Sequence, residues 1–311
     1  MTLKTTIFIT GAAGLVGQNL IARLSHDDYR FIAVDKHPNN VAILRELHPD
    51  IDVIEADLAE PGDWEALARG AEIHVILHAQ IGGLDQEEFE RNNITATKRI
   101  LAAAKAGRCS YIVHASSSVV NSKAVDFYTE SKKKQEALVL ESGIASVVLR
   151  PTLMFGWFDR KHLGWLKRFM ERAPVFPIPG HGKYLRQPLY AGDFSAIIAA
   201  CLLSRVEGVY DISGQEQIDY IELIRSLREA AELKTPIVTI PYPLFWALLR
   251  VYAVFDKNPP FTTAQLKALV TPDIFEVIDW PGIFGVEATP LQSALEQTFN
   301  DPRYSALTLE F

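Results

Sequence analysis

The first half of the chain alternates short apolar runs, rich in branched and aromatic residues, with amphipathic stretches. The apolar runs predict strands, namely TIFIT, RFIAVD, DVIEAD, HVILHA, YIVHAS and ASVVLRP. The stretches between them predict helices, at Leu15 to Leu24, Val41 to Leu47, Trp64 to Ala68, Glu87 to Lys105 and Phe127 to Glu141. Strands separated by helices pair in parallel, so the pattern predicts an α/β fold with a doubly wound parallel sheet.

The alternation loosens after Arg150, where five prolines interrupt the sequence at positions 151, 174, 177, 179 and 188. We expect one nucleotide-binding domain over residues 1–150 and a smaller, mainly helical substrate-side region over residues 151–311. Isolated strands are predicted in that region at GVYDIS and PIVTIP. Segments around 186–215 are expected to return to the first domain.

Composition excludes several classes of protein. The chain has 31 Lys and Arg against 38 Asp and Glu, a net charge of −7, which disfavours a nucleic-acid partner. Its two cysteines, Cys109 and Cys201, are too few for a disulfide framework or a metal cluster and fit a reducing cytosol. We see neither a signal peptide nor an apolar stretch long enough to span a bilayer. We therefore expect a cytoplasmic protein without a bound metal.

A glycine triplet follows the first predicted strand in IFITGAAGLVGQNL. Gly11, Gly14 and Gly17 have the spacing Gly-x-x-Gly-x-x-Gly, directly before a helix. Small residues let the backbone approach a pyrophosphate, and the helix N-terminus offers free N–H groups and a positive dipole end. Asp35 ends the second strand, where an acid can accept hydrogen bonds from an adenosine ribose. These features predict a Rossmann-type dinucleotide-binding domain.

The same strand end bears on which dinucleotide binds. The carboxylate of Asp35 repels a 2′-phosphate, which favours NAD over NADP. Lys36 and His37 follow directly and are the residues that would pair with such a phosphate. NAD is therefore the expected cofactor, with NADP as the alternative.

A serine run precedes a Tyr-x-x-x-Lys pair in ASSSVVNSKAVDFYTESKKK. Asp126 is a plausible N-cap of the helix that carries Tyr128 and Lys132. Residues four apart share one helix face, so the two side chains are expected to point the same way. The pair alone is also compatible with a half-buried tyrosine beside a lysine whose stem is buried.

Further motifs follow one another in order over residues 5 to 215. They are Thr10-Gly11-Ala12-Ala13-Gly14-Leu15-Val16-Gly17, Asp57-Leu58, His78-Ala79, Asn93-Ile94, Arg150-Pro151, Phe155-Gly156, Arg186 and Asp193. Together they resemble the extended short-chain dehydrogenase/reductases of the NAD-dependent epimerase/dehydratase family. Ala96 departs from the pattern, because the family usually has glycine there. The second half of the chain matches poorly.

The resemblance implies specific roles. It assigns cofactor contacts to Gly11, Ala13, Gly14, Leu15, Val16, Gly17, Asp35, Lys36, Asp57, Leu58, His78, Ala79, Asn93, Tyr128 and Lys132. Tyr128 would be the acid/base, and Lys132 would lower its pKa and hold the nicotinamide ribose. Ser117 would hydrogen-bond the substrate oxygen, with Ser116 and Ser118 as rivals, and Phe155 and Arg186 would border the substrate.

The leading functional hypothesis is an NAD(P)-dependent oxidoreductase or epimerase acting on a nucleotide sugar or a related secondary alcohol or ketone. One alternative is a 4-ketoreductase, or a dehydrogenase of a steroid-like or lipid-linked substrate. Another is a non-catalytic dinucleotide-binding sensor or assembly protein. Tyr128 follows Ser117 by only 11 positions, where the family usually has a longer loop, so one pocket wall is expected to be more open.

Two surfaces are singled out for partners. Family members commonly dimerise through two long helices, which here are Glu87–Lys105 and Phe127–Glu141, so a homodimer is expected. The stretch PYPLFWALLRVYAVF, residues 241–255, is the most hydrophobic. Its simpler interpretation is a packed helix of the substrate-side region, and its alternative is a helix that touches a membrane peripherally.

Overall fold

The computed structural model of the protein describes residues 4–24, 26–123, 125–255, 263–271 and 274–310, without the side chains of 252–255, 264, 265 and 268. The strands are β1 Thr5–Thr10, β2 Tyr29–Asp35, β3 Asp52–Glu55, β4 Ile73–Ile76, β5 Tyr111–Ala115, β6 Ser146–Pro151, β7 Met154–Phe155, β8 Phe176–Pro179, β9 Leu185–Arg186, β10 Leu189–Tyr190, β11 Gly208–Ile212, β12 Ile218–Asp219 and β13 Ile237–Ile240.

The α-helices alternate with these strands. They are α1 Leu15–Arg23, α2 Pro38–Leu47, α3 Trp64–Gly70, α4 Gln86–Phe89, α5 Ala96–Lys105, α6 Phe127–Leu140, α7 Leu163–Arg172, α8 Ala191–Ser204, α9 Tyr220–Ala230, α10 Tyr242–Phe255, α11 Thr263–Val270, α12 Trp280–Phe284 and α13 Leu291–Asn300. A π-helical segment, Glu90–Thr95, joins α4 to α5, and a 3-10 turn, Ser118–Asn121, precedes α6.

Seven strands form the central sheet in the order β11-β6-β5-β4-β1-β2-β3. Every neighbouring pair is parallel, with Thr10 of β1 opposite Val34 of β2 on one side and Ile76 of β4 on the other. The predicted doubly wound α/β fold is therefore confirmed. Strand order reverses between β1 and β4, and a crevice opens at the carboxyl ends of the strands at such a reversal.

Side chains of β1 alternate between two apolar layers, as a strand buried on both faces requires. Ile7 and Ile9 pack with Leu20 of α1 and Phe194 of α8 on one face. Phe8 packs on the other face, in the layer formed by α3, α5 and α6. Both layers fix the carboxyl end of β1, and with it the glycine loop, in the middle of the sheet edge.

The second half of the chain divides between the sheet and a separate core. β11 adds to the sheet beside β6, and α8 packs on α1. Another cluster, centred on α9 and α13, includes Leu227 and Leu295, both fully buried. The boundary at residue 150 stays a prediction.

Helix α10 differs from the simpler expectation of a packed helix. Phe245 is buried at 9% exposure, whereas Leu244, Trp246, Leu248 and Val251 are between 43% and 58% exposed. The helix therefore presents apolar side chains to solvent instead of burying them in the substrate-side region. Among the residues that the structure describes, no helix is both long enough and apolar enough to cross a bilayer.

Candidate active site

A cavity of about 560 Å³ lies at the carboxyl ends of β1, β2, β4 and β5. Its volume is within the range of about 300–1,000 Å³ that small-molecule sites occupy. Gly11, Gly14 and Asp35 line one end, and Ser117, Tyr128 and Lys132 line the other. The sheet thus brings the glycine loop and the Tyr-x-x-x-Lys pair, more than one hundred residues apart in sequence, to one continuous space.

The glycine loop has the geometry of a diphosphate cradle. Gly11 has φ +64°, and a Cβ there would come within 2.7 Å of the His78 backbone nitrogen. Gly14 is the N-cap of α1 and provides no side-chain cap, so the first N–H groups of the helix are left for a bound anion. Leu15 and Val16 of this turn line the cavity. The loop therefore fits the cofactor that its sequence predicts.

Gly17 and Ala13 support the loop from behind and do not line the cavity. A Cβ at Gly17 would lie only 2.4 Å from the Ala12 carbonyl oxygen, so only glycine allows this close helix packing. The Ala13 N–H donates to Asp35 Oδ2 at 3.0 Å.

Asp35 lies at the end of β2 and is 8% exposed. Its carboxylate accepts hydrogen bonds from three backbone N–H groups, of Ala13 at 3.0 Å, Lys36 at 2.7 Å and His37 at 3.1 Å. A carboxylate offers about four lone-pair sites, so roughly one acceptor position is left for a ribose hydroxyl. Asp35 therefore has two roles: it holds the glycine loop through Ala13, and it keeps an acceptor position for a ligand.

The ends of β3 and β4 contribute the next part of the wall. Asp57 lines the cavity with Leu58 and accepts hydrogen bonds from Arg91 at 2.7 Å and the Ala59 N–H at 2.9 Å. Burial alone would raise the pKa of Asp57, but these two donors outweigh burial and hold that pKa below its ordinary value. The Asp57 carboxylate is therefore ionised where it lines the cavity.

His78 lines the cavity beside Ala79. Its Nδ1 contacts Thr10 Oγ1 at 2.8 Å and its Nε2 contacts Thr97 Oγ1 at 3.1 Å. Burial lowers the pKa of His78, and the positive charges of Lys132 and Lys36 lower it further. The imidazole is therefore neutral, and its contacts with Thr10 and Thr97 hold it in the cavity wall.

Asn93 lies in the π-helical segment and does not line the cavity. Its Oδ1 accepts from the Gln80 N–H at 2.6 Å, and its Nδ2 donates to the Gln80 carbonyl at 3.2 Å and to Ser131 Oγ at 2.8 Å. The side chain thus ties the loop after β4 to α6, the helix that carries Tyr128. Asn93 therefore has a positioning role, and the cofactor contact that the resemblance implies stays a prediction.

Helix α6 begins as predicted. Asp126 accepts hydrogen bonds from the Thr129 N–H at 2.9 Å and the Thr129 hydroxyl at 2.8 Å, which caps the helix. One turn separates Tyr128 from Lys132, and both line the cavity. The Ser117 side chain lies close enough to the Tyr128 phenol to act on its pKa, in the direction that lowers it.

Lys132 is 1% exposed, which is unusual for a lysine. Its Nζ donates to the Ala115 carbonyl at 3.0 Å and to Gln135 Oε1 at 2.5 Å. Burial lowers the pKa of Lys132 to about 7, against the opposing charge of Glu136. Two of the three ammonium donors are engaged with neutral acceptors, and one is left for the cavity.

The pKa of Tyr128 differs from the sequence expectation. Burial raises it, the Ser117 side chain acts in the opposite direction, and the Asp126 charge raises it further. The expectation that Lys132 lowers the pKa of Tyr128 is therefore corrected for this arrangement. The physical reason is that the Lys132 ammonium is directed at the Ala115 carbonyl and Gln135, while burial destabilises its charged form.

The hydrogen bonds of Ser116 distinguish it from Ser117 as a candidate for the substrate oxygen. The Ser116 hydroxyl donates to Glu136 Oε2 at 2.6 Å, and this serine is 6% exposed. Glu136 also binds Arg150 through both carboxylate oxygens. Ser116 is thereby committed to a buried ion-pair network. All three serines line the cavity, and Ser117 is the one whose side chain acts on the pKa of Tyr128.

Phe155 and Arg186, the residues expected beside the substrate, lie elsewhere. Phe155 is 1% exposed and packs against Tyr190 at a ring-centroid distance of 5.5 Å. Arg186 donates to the carbonyls of Leu269 and Thr271 and so braces the end of α11. Neither residue lines the cavity.

Sequence reasoning missed other cavity-lining residues, which include Ile81, Val119, Thr152, Leu153, Met154, Asp159, Arg160, Lys161, His162, Phe275, Leu309 and Glu310. Thr152, Leu153 and Met154 lie between Arg150-Pro151 and Phe155-Gly156, so their position was available from these motifs. Phe275 and Glu310 come from segments without a motif, and only tertiary packing brings them to the cavity.

Comparison with known proteins places this geometry in a family. The model of the NAD dependent epimerase/dehydratase family matches residues 7–213. The ceramide reductase of Caulobacter vibrioides is 25% identical over 274 residues, covering 88% of this chain and 82% of that protein. A 3 beta-hydroxysteroid dehydrogenase/Delta 5→4-isomerase of Mycobacterium tuberculosis is 24% identical over 273 residues, covering 76% of this chain and 72% of that protein.

Solved structures share the fold at lower identity. The UDP-glucuronic acid 4-epimerase from Bacillus cereus, in complex with NAD, superposes with a TM-score of 0.71 at 20% identity and covers 95% of this chain and 96% of its own. The UDP-N-acetylglucosamine 4-epimerase from Methanobrevibacter ruminantium has a TM-score of 0.73 at 15% identity, over 96% and 97% of the two chains. With its family match over two thirds of its length, the chain belongs to the NAD-dependent epimerase/dehydratase family of enzymes.

Proposed function

We propose that the protein is an NAD-dependent oxidoreductase that interconverts a secondary alcohol and a ketone, with Tyr128 as the acid/base. One observation carries this proposal: a single cavity has the glycine loop at one end and the Ser117–Tyr128 pair, with Lys132, at the other. Membership of an NAD-dependent family supports it. A sensor or assembly protein has no need of Ser117, Tyr128 and Lys132 together at one end of such a cavity.

Bound NAD supplies or accepts the hydride. In the reductive direction the Tyr128 hydroxyl delivers a proton to the substrate oxygen as the carbonyl carbon is reduced. The Ser117 hydroxyl hydrogen-bonds the same oxygen and stabilises its developing charge. Burial raises the pKa of Tyr128, so the phenol stays protonated at neutral pH, which suits a proton donor. The remaining N–H of Lys132 is available for a ribose hydroxyl.

The substrate is proposed to be apolar. Val119, Leu153, Met154 and Phe275 give the cavity that contains Ser117 and Tyr128 an apolar part of its wall. The two relatives compared above are named for a ceramide and a steroid. We therefore propose a lipid-like or polycyclic ketone, reduced at the expense of NADH.

A second candidate is epimerisation of a nucleotide sugar. Two structural neighbours are epimerases named for UDP-linked sugars. Arg160 and Lys161 also line the cavity, and cationic side chains suit a diphosphate. An epimerase returns the hydride to its own substrate and so consumes no cofactor, whereas a reductase oxidises one NADH for each product.

The experiment that tests the proposal is NADH oxidation by the purified protein with long-chain ketones, 3-ketosteroids and UDP-sugars. We expect stoichiometric NADH consumption with an apolar ketone. Conversion of a UDP-sugar to its epimer with catalytic NAD, and no activity on apolar ketones, would replace the first candidate by the second. Tight dinucleotide binding without turnover of any of the three classes would favour the sensor.

A further inference from the structure

The C-terminal segment returns to the first half of the chain. After α13, Tyr304 and Leu309 are buried, at 7% and 1% exposure. Both belong to one apolar cluster with residues of α1, α2 and the loop after β7, which are Ala22, Ile43, Leu47, Trp157 and Phe158. The segment is thereby held against the helices that flank the glycine loop.

Glu310 is fixed to the first turn of α2 by three hydrogen bonds. Its backbone N–H donates to Asn40 Oδ1 at 2.8 Å, and its carbonyl accepts from Asn40 Nδ2 at 2.8 Å. Its carboxylate Oε2 accepts from Asn39 Nδ2 at 2.5 Å. Asn40 is 3% exposed, so the paired amide is a buried anchor. The position of this glutamate is therefore set by the fold.

This anchor lies at one end of the cofactor cavity. Leu309 and Glu310 line the same space as Asp35, Lys36 and His37. Asp35 and Lys36 mark the end of β2, where an adenosine ribose is expected, and Lys36 donates to Asn92 Oδ1 at 3.0 Å. A 2′-phosphate at this end would therefore lie in a space that Asp35, Lys36 and Glu310 all line.

We propose that Glu310 is a specificity-determining residue that excludes the 2′-phosphate of NADP, so that the C-terminal segment completes the adenosine end of an NAD site. The inference rests on the proposed NAD-dependent function and deepens it. The Asp35 carboxylate already accepts three backbone N–H groups, so few of its acceptor positions face a ligand. Glu310 adds a second negative charge whose position depends on Asn39 and Asn40.

The test compares the dissociation constants of NADH and NADPH, measured by fluorescence titration of the full chain, in the parent and in Glu310→Gln. The substitution removes the charge and keeps both backbone hydrogen bonds to Asn40. We expect NADPH to bind about tenfold more tightly in the variant, as for the loss of one nearby like charge, with NADH changed less than twofold. Glu310→Lys should extend the gain for NADPH.

The matched control is Glu296→Gln on α13, which removes the same charge from a carboxylate that accepts from Gln292. It should leave both dissociation constants unchanged. A ratio of NADPH to NADH affinity that is the same in parent, Glu310→Gln and Glu310→Lys would overturn the inference while leaving the NAD site in place. If neither dinucleotide binds the parent protein, the proposed function and the inference both fail.

Discussion

At the scale of single residues, the site depends on a buried lysine. Spacing alone predicted that Tyr128 and Lys132 share a helix face, and both line one cavity. Spacing could not predict their pKa values, because burial is set by the sheet beneath the helix. Ala115 at the end of β5 provides the carbonyl that holds Lys132. The sequence predicts which residues lie close together, whereas burial in the fold sets their pKa values.

Burial of Lys132 predicts a pH-dependent stability. The pKa of Lys132 falls from 10.5 to about 7 on folding, so between these values the unfolded chain binds a proton that the folded chain lacks. The contribution of Lys132 to the free energy of unfolding therefore rises with pH in that window, by at most about 1.4 kcal/mol per pH unit. Below pH 7 both states hold the proton and the contribution is constant.

Urea denaturation of the parent and Lys132→Met at several pH values between 6 and 9.5 measures this effect. Subtracting the free energy of unfolding of the variant from that of the parent cancels the contributions of titratable groups that both proteins share. The difference should stay constant up to about pH 7 and then move in favour of the parent. A difference that stays flat over the whole range would show that Lys132 is not buried as described.

At the scale of elements, the two halves of the chain differ in how far sequence predicts them. Strands β1 to β6 and helices α1 and α6 follow local periodicity, and each was predicted close to its observed bounds. The π-helical segment Glu90–Thr95 has no such signal, and its Asn93 is hydrogen-bonded to Gln80 in the loop after β4, a long-range contact that local periodicity does not reveal. The exposure of apolar side chains on α10 was also not predictable, because an apolar sequence predicts burial but does not identify the element that packs against the helix.

Helix α10 provides a test at this scale. Leu248 on α10 is 51% exposed, whereas Leu227 on α9 is fully buried. Leu248→Ala should change the free energy of unfolding by less than about 0.5 kcal/mol, and Leu227→Ala should lower it by about 2–5 kcal/mol. Denaturant unfolding measures both. Equal losses in the two variants would mean that α10 is packed, as the sequence first suggested.

At the scale of the whole molecule, only some of the apolar side chains on the two helices expected to form the dimer interface are exposed. Within the first of the two helices expected to pair, Glu87–Lys105, the apolar residues Phe89, Ile94, Ile100 and Leu101 are each at most 5% exposed within their own chain. On α6, Leu140 is 47% exposed. Amphipathic patterning could not distinguish side chains that face the sheet from those that face a partner.

The homodimer stays a prediction that light scattering can check. We expect a mass near twice 34.7 kDa at micromolar concentration. Leu140→Lys, which adds a charge to the exposed face of α6, should shift the mass toward one chain. A single-chain mass for the parent would contradict the dimer, and an unchanged dimer in Leu140→Lys would place the interface on another surface.

The return of the C-terminal segment shows the limit of sequence reasoning for the molecule as a whole. Asn40 and Glu310 are 270 residues apart, and neither belongs to a motif. Their contact follows from the packing of Leu309 and Tyr304 on α1 and α2. The part of the cavity lined by the glycine loop was therefore predictable from local motifs, whereas the part lined by Leu309 and Glu310 was not.

The central claim is that Tyr128 transfers the proton that accompanies hydride transfer in this cavity. The most direct measurement is deuterium transfer from 4-deuterated NADH to a ketone that the parent reduces, followed by mass spectrometry of the product. The parent and the exposed control Tyr242→Phe should deliver deuterium to the carbinol carbon at the same rate. Tyr128→Phe should bind NADH normally but transfer about 10²–10⁴-fold more slowly. Transfer by Tyr128→Phe at the parental rate would contradict the account.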